Sequence, residues 1–175
     1  MRTWFTADTH FGHENIIKLC KRPFKTLEKM DAVLTKNWNA RVKKNDTVIF
    51  IGDFCYKTAD GLKAKDYIEK LNGYPVFIRG NHDQNNTMDT RIISLVLEIA
   101  DKEVFCVHSP EDFSSAYSLN LVGHVHQTFK VRRIYNTHLV NVGVDVWRYH
   151  PVEITEILKA IKEHGKLHPY KGSRK

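Results

Sequence analysis

The stretch Thr47-Val48-Ile49-Phe50-Ile51-Gly52-Asp53 decides how the rest of the chain is read. Its first five residues are β-branched or apolar, with no polar alternation. That pattern predicts a strand covered on both faces, as in a parallel sheet. The Gly-Asp that follows lets the backbone turn out of the strand and leaves a carboxylate at its carboxyl end. In open α/β sheets, that edge is where ligands bind.

The same arrangement recurs on either side. Upstream, Trp4-Phe5-Thr6-Ala7 reads as a strand ending at Asp8-Thr9-His10. Between it and Thr47, Leu27, Met30, Leu34 and Trp38 recur at three-and-four spacing and predict a helix over 26–43, with Asn45-Asp46 as the turn. Downstream, a helix over 62–71 is closed by Asn72-Gly73. A strand over 75–78 then ends at Arg79-Gly80-Asn81-His82-Asp83. Ile92, Leu95, Val96 and Ile99 predict a helix over 87–100. Strands over 103–107 and 119–122 end at His108 and at Gly123-His124-Val125-His126. Residues 129–135 and 139–144 predict a hairpin about Asn136-Thr137. A last helix covers 151–163. Strands and helices alternate early and strands cluster late, which predicts one α/β domain over 1–164 with a mixed sheet and helices on both faces. Residues 165–175 form a basic tail expected to fray.

Five strand ends therefore bring carboxylate, imidazole and carboxamide groups to one edge. Burying such groups without partners is costly, and a cation removes that cost. Asp8 and His10 are i and i+2, so an extended backbone would point both to one side, as it would His124 and His126. Imidazole with carboxylate suits Mn, Fe, Zn or Co rather than Ca. Asp8, His10, Asp53, Asn81, His108, His124 and His126 are more donors than one ion needs, but they suit two ions sharing a carboxylate.

Composition narrows the classes. The chain has 175 residues, 42% hydrophobic and 27% charged, which excludes a disordered or collagen-like chain. No run approaches the ~20 apolar residues of a membrane span, and no signal-peptide core is seen at the start. Cys20, Cys55 and Cys106 have no paired spacing, so a reduced, cytoplasmic protein is expected. The formal charge of +7 with 10 histidines suits an anionic partner. Scattered basic residues without a zinc-finger, RNP or helix-turn-helix signature argue against a stable nucleic-acid complex.

The order Asp-x-His, Gly-Asp, Gly-Asn-His-Asp, His, Gly-His-x-His resembles the calcineurin-like metallophosphoesterase family over residues 8–145. The resemblance implies a four-layer α/β sandwich of mixed sheets flanked by helices, of the small, uncapped prokaryotic or phage type. It implies that Asp8, His10 and His126 hold one divalent transition-metal ion and Asn81, His108 and His124 a second, with Asp53 bridging. Mn is the first candidate metal, then Fe, Zn, Co or Ni. A hydroxide bridging the two ions would attack phosphorus, and His82 would supply a proton to the leaving oxygen. Small uncapped members often act on diesters, cyclic nucleotides among them, so a phosphodiester or nucleotide substrate is implied. A monoesterase, a nuclease or a non-catalytic scaffold are the other functions of this fold.

The chain departs from one branch of that family. Protein phosphatases carry an Asp that orients the catalytic His, and here Tyr56 stands at its position. Asp83 is left as a group to hold the His82 ring. Arg79 matches a phosphate-binding Arg of that branch. His13, in a loop that should border the metals, is a substrate contact or a surface residue. Asn141-Val142-Gly143-Val144-Asp145 lies on a late strand, and for Asp145 the plain reading is a sheet residue beside a Gly bulge. Arg132-Arg133, Lys171 and Arg174-Lys175 read as solvated charge.

Overall fold

The computed structural model describes residues 1–56, 61–83 and 88–168. Strands β1 (Thr3–Thr6), β2 (Thr47–Ile51) and β3 (Tyr74–Ile78) run parallel, and β9 (Val152–Glu153) joins β1 antiparallel, in the order β3-β2-β1-β9. A second sheet is built from β4 (Ser94–Ile99), β5 (Lys102–Val107), β6 (Leu119–Val122), β7 (Val131–Ile134) and β8 (Thr137–Asn141). Its order is β4-β5-β6-β8-β7, with β5, β6 and β8 parallel.

The unbroken apolar character of β2 follows from two buried faces. Ile49 and Ile51 join Phe5 and Ile78 in a core shared with Val104, Cys106, Leu121 and Val140 of the second sheet. Val48 and Phe50 point the other way, with Trp4, into a second core. There they meet Ile16 of α1 (Glu14–Leu19), Met30, Leu34 and Trp38 of α2 (Leu27–Arg41), and Tyr67 of α3 (Ala64–Ile68). Ile154 and Ile157 of α4 (Ile154–Leu167) enter the first core. Each aromatic in these layers carries much of the packing: truncating a buried Phe typically costs about 3–5 kcal/mol.

The mixed sheet read from the element order is two mixed sheets flanked by helices, as the family resemblance implied. The helix expected over 26–43 is α2, capped where Thr26 Oγ1 accepts from the Lys29 amide at 3.3 Å. The helix expected over 87–100 is overturned. Residues 94–99 form an edge strand that pairs antiparallel with β5, from Ser94–Val107 to Ile99–Lys102. Leu95, Leu97 and Ile99 face the core at a spacing of two, while Val96 looks outward. Apolar residues on both faces produced a false helical spacing at Ile92, Leu95, Val96 and Ile99. Thr87, where that helix was to start, lies outside the described residues. The hairpin of β7 and β8 forms, but one residue earlier, turning at Tyr135-Asn136. Helix α4 runs on through Gly165 to Leu167, beyond the expected end at 163. Lys171, Arg174 and Lys175 of the expected tail lie outside the described residues. Among the described residues, no helix is long and apolar enough to cross a membrane.

Candidate metal centre

The parallel strands end at one edge, and their loops continue the ladder past the strands. The amide of Asp8 donates to Gly52 O at 3.0 Å, and that of His10 to Asp53 O at 3.1 Å. The two sheets are joined at the same edge, where Ala7 bridges Gly143 and the Val144 amide donates to Ala7 O at 3.1 Å. The chain beyond each strand then turns sharply. Asp8, His10, Asp53, His124 and His126 all have positive φ, between 46° and 69°. Side chains of this kind rarely adopt that backbone, and its recurrence at five predicted ligands marks strain held by the surrounding structure.

Two details of the expected geometry change as a result. Asp8 and His10 converge through left-handed backbone, not through extended alternation. His124 and His126, expected to point the same way, are divided between two clusters. Gly52 does turn with φ +83°. Gly80 and Gly143 are needed for another reason: a Cβ on Gly80 would lie 2.2 Å from Asp53 Oδ1, and one on Gly143 2.5 Å from Asp8 Oδ2.

The donor groups form two trios, Asp8–His10–His126 and Asp53–His108–His124, each with ligand atoms within 4.8 Å of one another. Asn81 completes the second. Its Oδ1 lies 3.0 Å from His108 Nε2 and 2.9 Å from His124 Nδ1. Asp53 faces both trios, with Oδ2 3.3 Å from His108 Nε2 and 3.5 Å from His10 Nε2. Among the described residues, His10 Nε2 is buried with no hydrogen-bond partner. An orphaned imidazole nitrogen aimed at a carboxylate, among nitrogen and oxygen donors, fits a divalent transition metal.

The electrostatics make the same demand for positive charge. Burial pushes the Asp8 carboxyl up to about 6, against the pull of His108 and His126. Burial also opposes ionisation of Asp53, yet the hydrogen bond and charge of His108, with His10, bring it down to about 2. Burial works against a charged His108, but Asp53 and Asp8 raise it to about 9. For His126, burial is outweighed by Asp145, and its pKa rises to about 10. Burial holds His10 well below the ordinary histidine value. His108 gains its proton through Asp53 and Asp8, where a bound cation would supply the same charge.

The other predicted residues border these trios. The His82 amide donates to Asp53 Oδ1 at 2.9 Å, and its ring meets the His10 ring edge-on at 5.3 Å. His13 packs flat on Tyr56 at 4.3 Å, with Nδ1 3.4 Å from His10 Nδ1. Burial and the neighbouring His82 lower the His13 pKa. Tyr56 and His13 thus flank the His82 ring at 6.5 and 6.2 Å. Asp83, considered above as the holder of that ring, instead accepts the amides of Gly80 at 2.8 Å, Asp53 at 2.9 Å and Phe54 at 3.1 Å. It braces the loops. Arg79 lines a cleft of about 170 Å³ with Asn81, His108 and Asp112.

Two buried residues carry more than the sequence revealed. Asp145 Oδ2 lies 2.9 Å from His126 Nδ1. Arg22 forks onto Asp145, Nε to Oδ1 at 2.8 Å and Nη2 to Oδ2 at 2.9 Å. The plain reading of Asp145 as a sheet residue is therefore incomplete. Cys20, His126 and Asp145 form a third trio with ligand atoms within 4.8 Å. The Arg22 guanidinium already neutralises its carboxylate and would repel a cation there.

The calcineurin-like phosphoesterase family model matches residues 1–150. The chain belongs to the calcineurin-like phosphoesterase family. An uncharacterised protein of Methanocaldococcus jannaschii is 37% identical over 174 residues, covering 95% of this chain and 94% of that one. The gene 66 protein of Mycobacterium phage L5 is 26% identical over 83% of this chain and 87% of its own. In structure, the phosphoesterase is similar to a protein of unknown function from Aquifex aeolicus, with TM-score 0.70 and 25% identity, over 90% of this chain and 98% of that one. The family is metal-dependent, and the two trios are this phosphoesterase's candidate ligands.

Proposed function

We propose that the chain is a dinuclear phosphodiesterase that uses Mn²⁺ and acts on a nucleotide or cyclic nucleotide. The observation that carries this reading is the pair of trios meeting at Asp53. Asp8, His10 and His126 hold one ion, Asn81, His108 and His124 the other, and Asp53 both. Bound divalent cations supply Lewis-acid activation of water and of the phosphoryl group. The residues of the chain do the rest. Asn81 and Arg79 border the non-bridging oxygens, with Arg79 adding a fixed positive charge. His82, held among the rings of His10, His13 and Tyr56, gives the departing oxygen its proton. His13 contacts the substrate from the rim. Among the described residues the cysteines form no disulfide, in keeping with a cytoplasmic setting.

The test compares bis-p-nitrophenyl phosphate with p-nitrophenyl phosphate on Mn²⁺-loaded protein. Turnover should favour the diester; monoester turnover far above diester turnover rejects the diester assignment. His82→Ala should lower kcat by roughly 10²-fold with unchanged Mn²⁺ content. Loss of metal in that variant would make His82 a ligand instead.

A further inference from the structure

The Arg22–Asp145 pair lies outside the ligand set, and its geometry points to a specific task. We propose that Arg22 and Asp145 are positioning residues for the Asp8–His10–His126 half of the centre, an inference that rests on the metal-centre reading above.

The first part of the argument is the proton on His126. An ionised carboxylate only accepts hydrogen bonds. Asp145 Oδ2 sits 2.9 Å from His126 Nδ1, so that nitrogen carries the hydrogen and Nε2 is the one left to face a metal. A metal-binding imidazole needs this arrangement, and an outer carboxylate also fixes the plane of the ring. The fork from Arg22 places an opposite charge on both Asp145 oxygens and fixes the carboxylate's orientation.

The second part is the backbone. Arg22 Nη2 also donates to Asp8 O at 2.7 Å, and Nη1 to Thr9 O at 2.9 Å. These carbonyls belong to the turn in which Asp8 and His10 hold φ of 58° and 50°. Such backbone persists only when its surroundings over-determine it. A single guanidinium therefore sets the strained turn that presents Asp8 and His10, and through Asp145 it sets the ring of His126. Three ligands from two distant segments are registered by one side chain.

The third part is energetic. The side chains of Arg22 and Asp145 are both 0% exposed. A buried ion pair is weak evidence for stability, since well-packed apolar residues often do as well. Its contacts are better explained by what they hold in place. Lysine could keep the charge of Arg22, but it could not serve Asp145 and two carbonyls from one plane.

The experiment measures Mn²⁺ binding by equilibrium dialysis on the full chain and on Asp145→Asn, Arg22→Lys and Arg22→Met, with folding followed by circular dichroism. The wild-type chain should bind two ions. Asp145→Asn and Arg22→Met should bind one ion as the wild type does and the other roughly 10–100-fold more weakly, with Arg22→Lys between. Wild-type affinity for both ions in the folded variants overturns the inference, as does equal weakening of both. A wild-type chain that binds no Mn²⁺ overturns the metal centre itself, which separates the two failures. Should the variants not fold, ¹⁵N NMR of His126 in Zn²⁺-loaded wild-type protein decides. A proton on Nδ1 supports the inference and a proton on Nε2 overturns it.

Discussion

The two halves of the centre are held by different means. Asp8, His10 and His126 stand against a buried guanidinium and a buried carboxylate, so side chains brace them. Asp53 is instead braced by backbone amides gathered on Asp83, and by a glycine that lets the next strand approach. The first half is enclosed. The second opens to solvent, since His124 and Asn81 are exposed and Arg79 lines the cleft beside them. An enclosed half and an accessible half suit a site that must hold metal and still admit a substrate. The accessible half is where substrate contacts are expected.

Among the described residues, Asp53 is the candidate ligand whose carboxylate lies beside imidazoles of both halves, so Asp53→Asn gives the largest effect. It should lower Mn²⁺-dependent turnover by more than about 100-fold, beyond what outer positioning groups contribute, and weaken both ions in dialysis. Retention of one fully bound ion would mean that the halves do not share this carboxylate.

Asp83→Asn comes next and sharpens the contrast. An amide cannot accept all three backbone N–H groups with a carboxylate's strength, and each buried unpaired amide is expensive. Stability should fall by about 3 kcal/mol, read as a melting temperature lower by roughly 6–12 °C. The ion at the Asp53 half should weaken while the other holds. Equal loss at both halves would show that their supports are not independent.

Asp31→Asn should have the smallest effect and touch neither half. Asp31 lies on α2, accepting from the Gly12 amide at 3.3 Å and from Tyr67 Oη at 3.2 Å. Burial lifts its carboxyl from 3.8 to about 6. The folded chain thus binds this proton more tightly than the unfolded chain, and stability declines as pH rises through that window. A shift of this size is worth at most about 3 kcal/mol, and weaker hydrogen bonds to the amide reduce the gain. Asp31→Asn should be about 1–2 kcal/mol more stable than wild type at pH 8, with the difference closing toward pH 4. Denaturant melts at the two pH values check this, and Mn²⁺ binding should not change.

The ligand candidates were legible because each is tied to a local signal, the end of an apolar strand. The division of labour between His124 and His126 came from the family resemblance and not from their spacing, because positive φ at both residues cannot be read from it. Strand β4 was misread because its outward Val96 is as apolar as its inward Leu95 and Leu97, and only pairing with β5 fixes the period. The short α1 and two-residue β9 are too brief to leave a periodic pattern. Arg22 and Asp145 are 123 positions apart, and each alone looks like an ordinary charged residue. Only the folded chain makes them a pair.

The join between the sheets has a consequence for the order of events in synthesis. His124 closes onto Asp8 across 116 positions, its amide 3.0 Å from each carboxylate oxygen. Ala7 waits for Gly143 in the same way. During synthesis Asp8 and His10 emerge well before His124, His126 and Asp145, on which the arrangement also depends. Contacts of such long range form late and slowly. An incomplete chain therefore has only fragments of a chelator, and cation capture becomes a report that the last strands have docked.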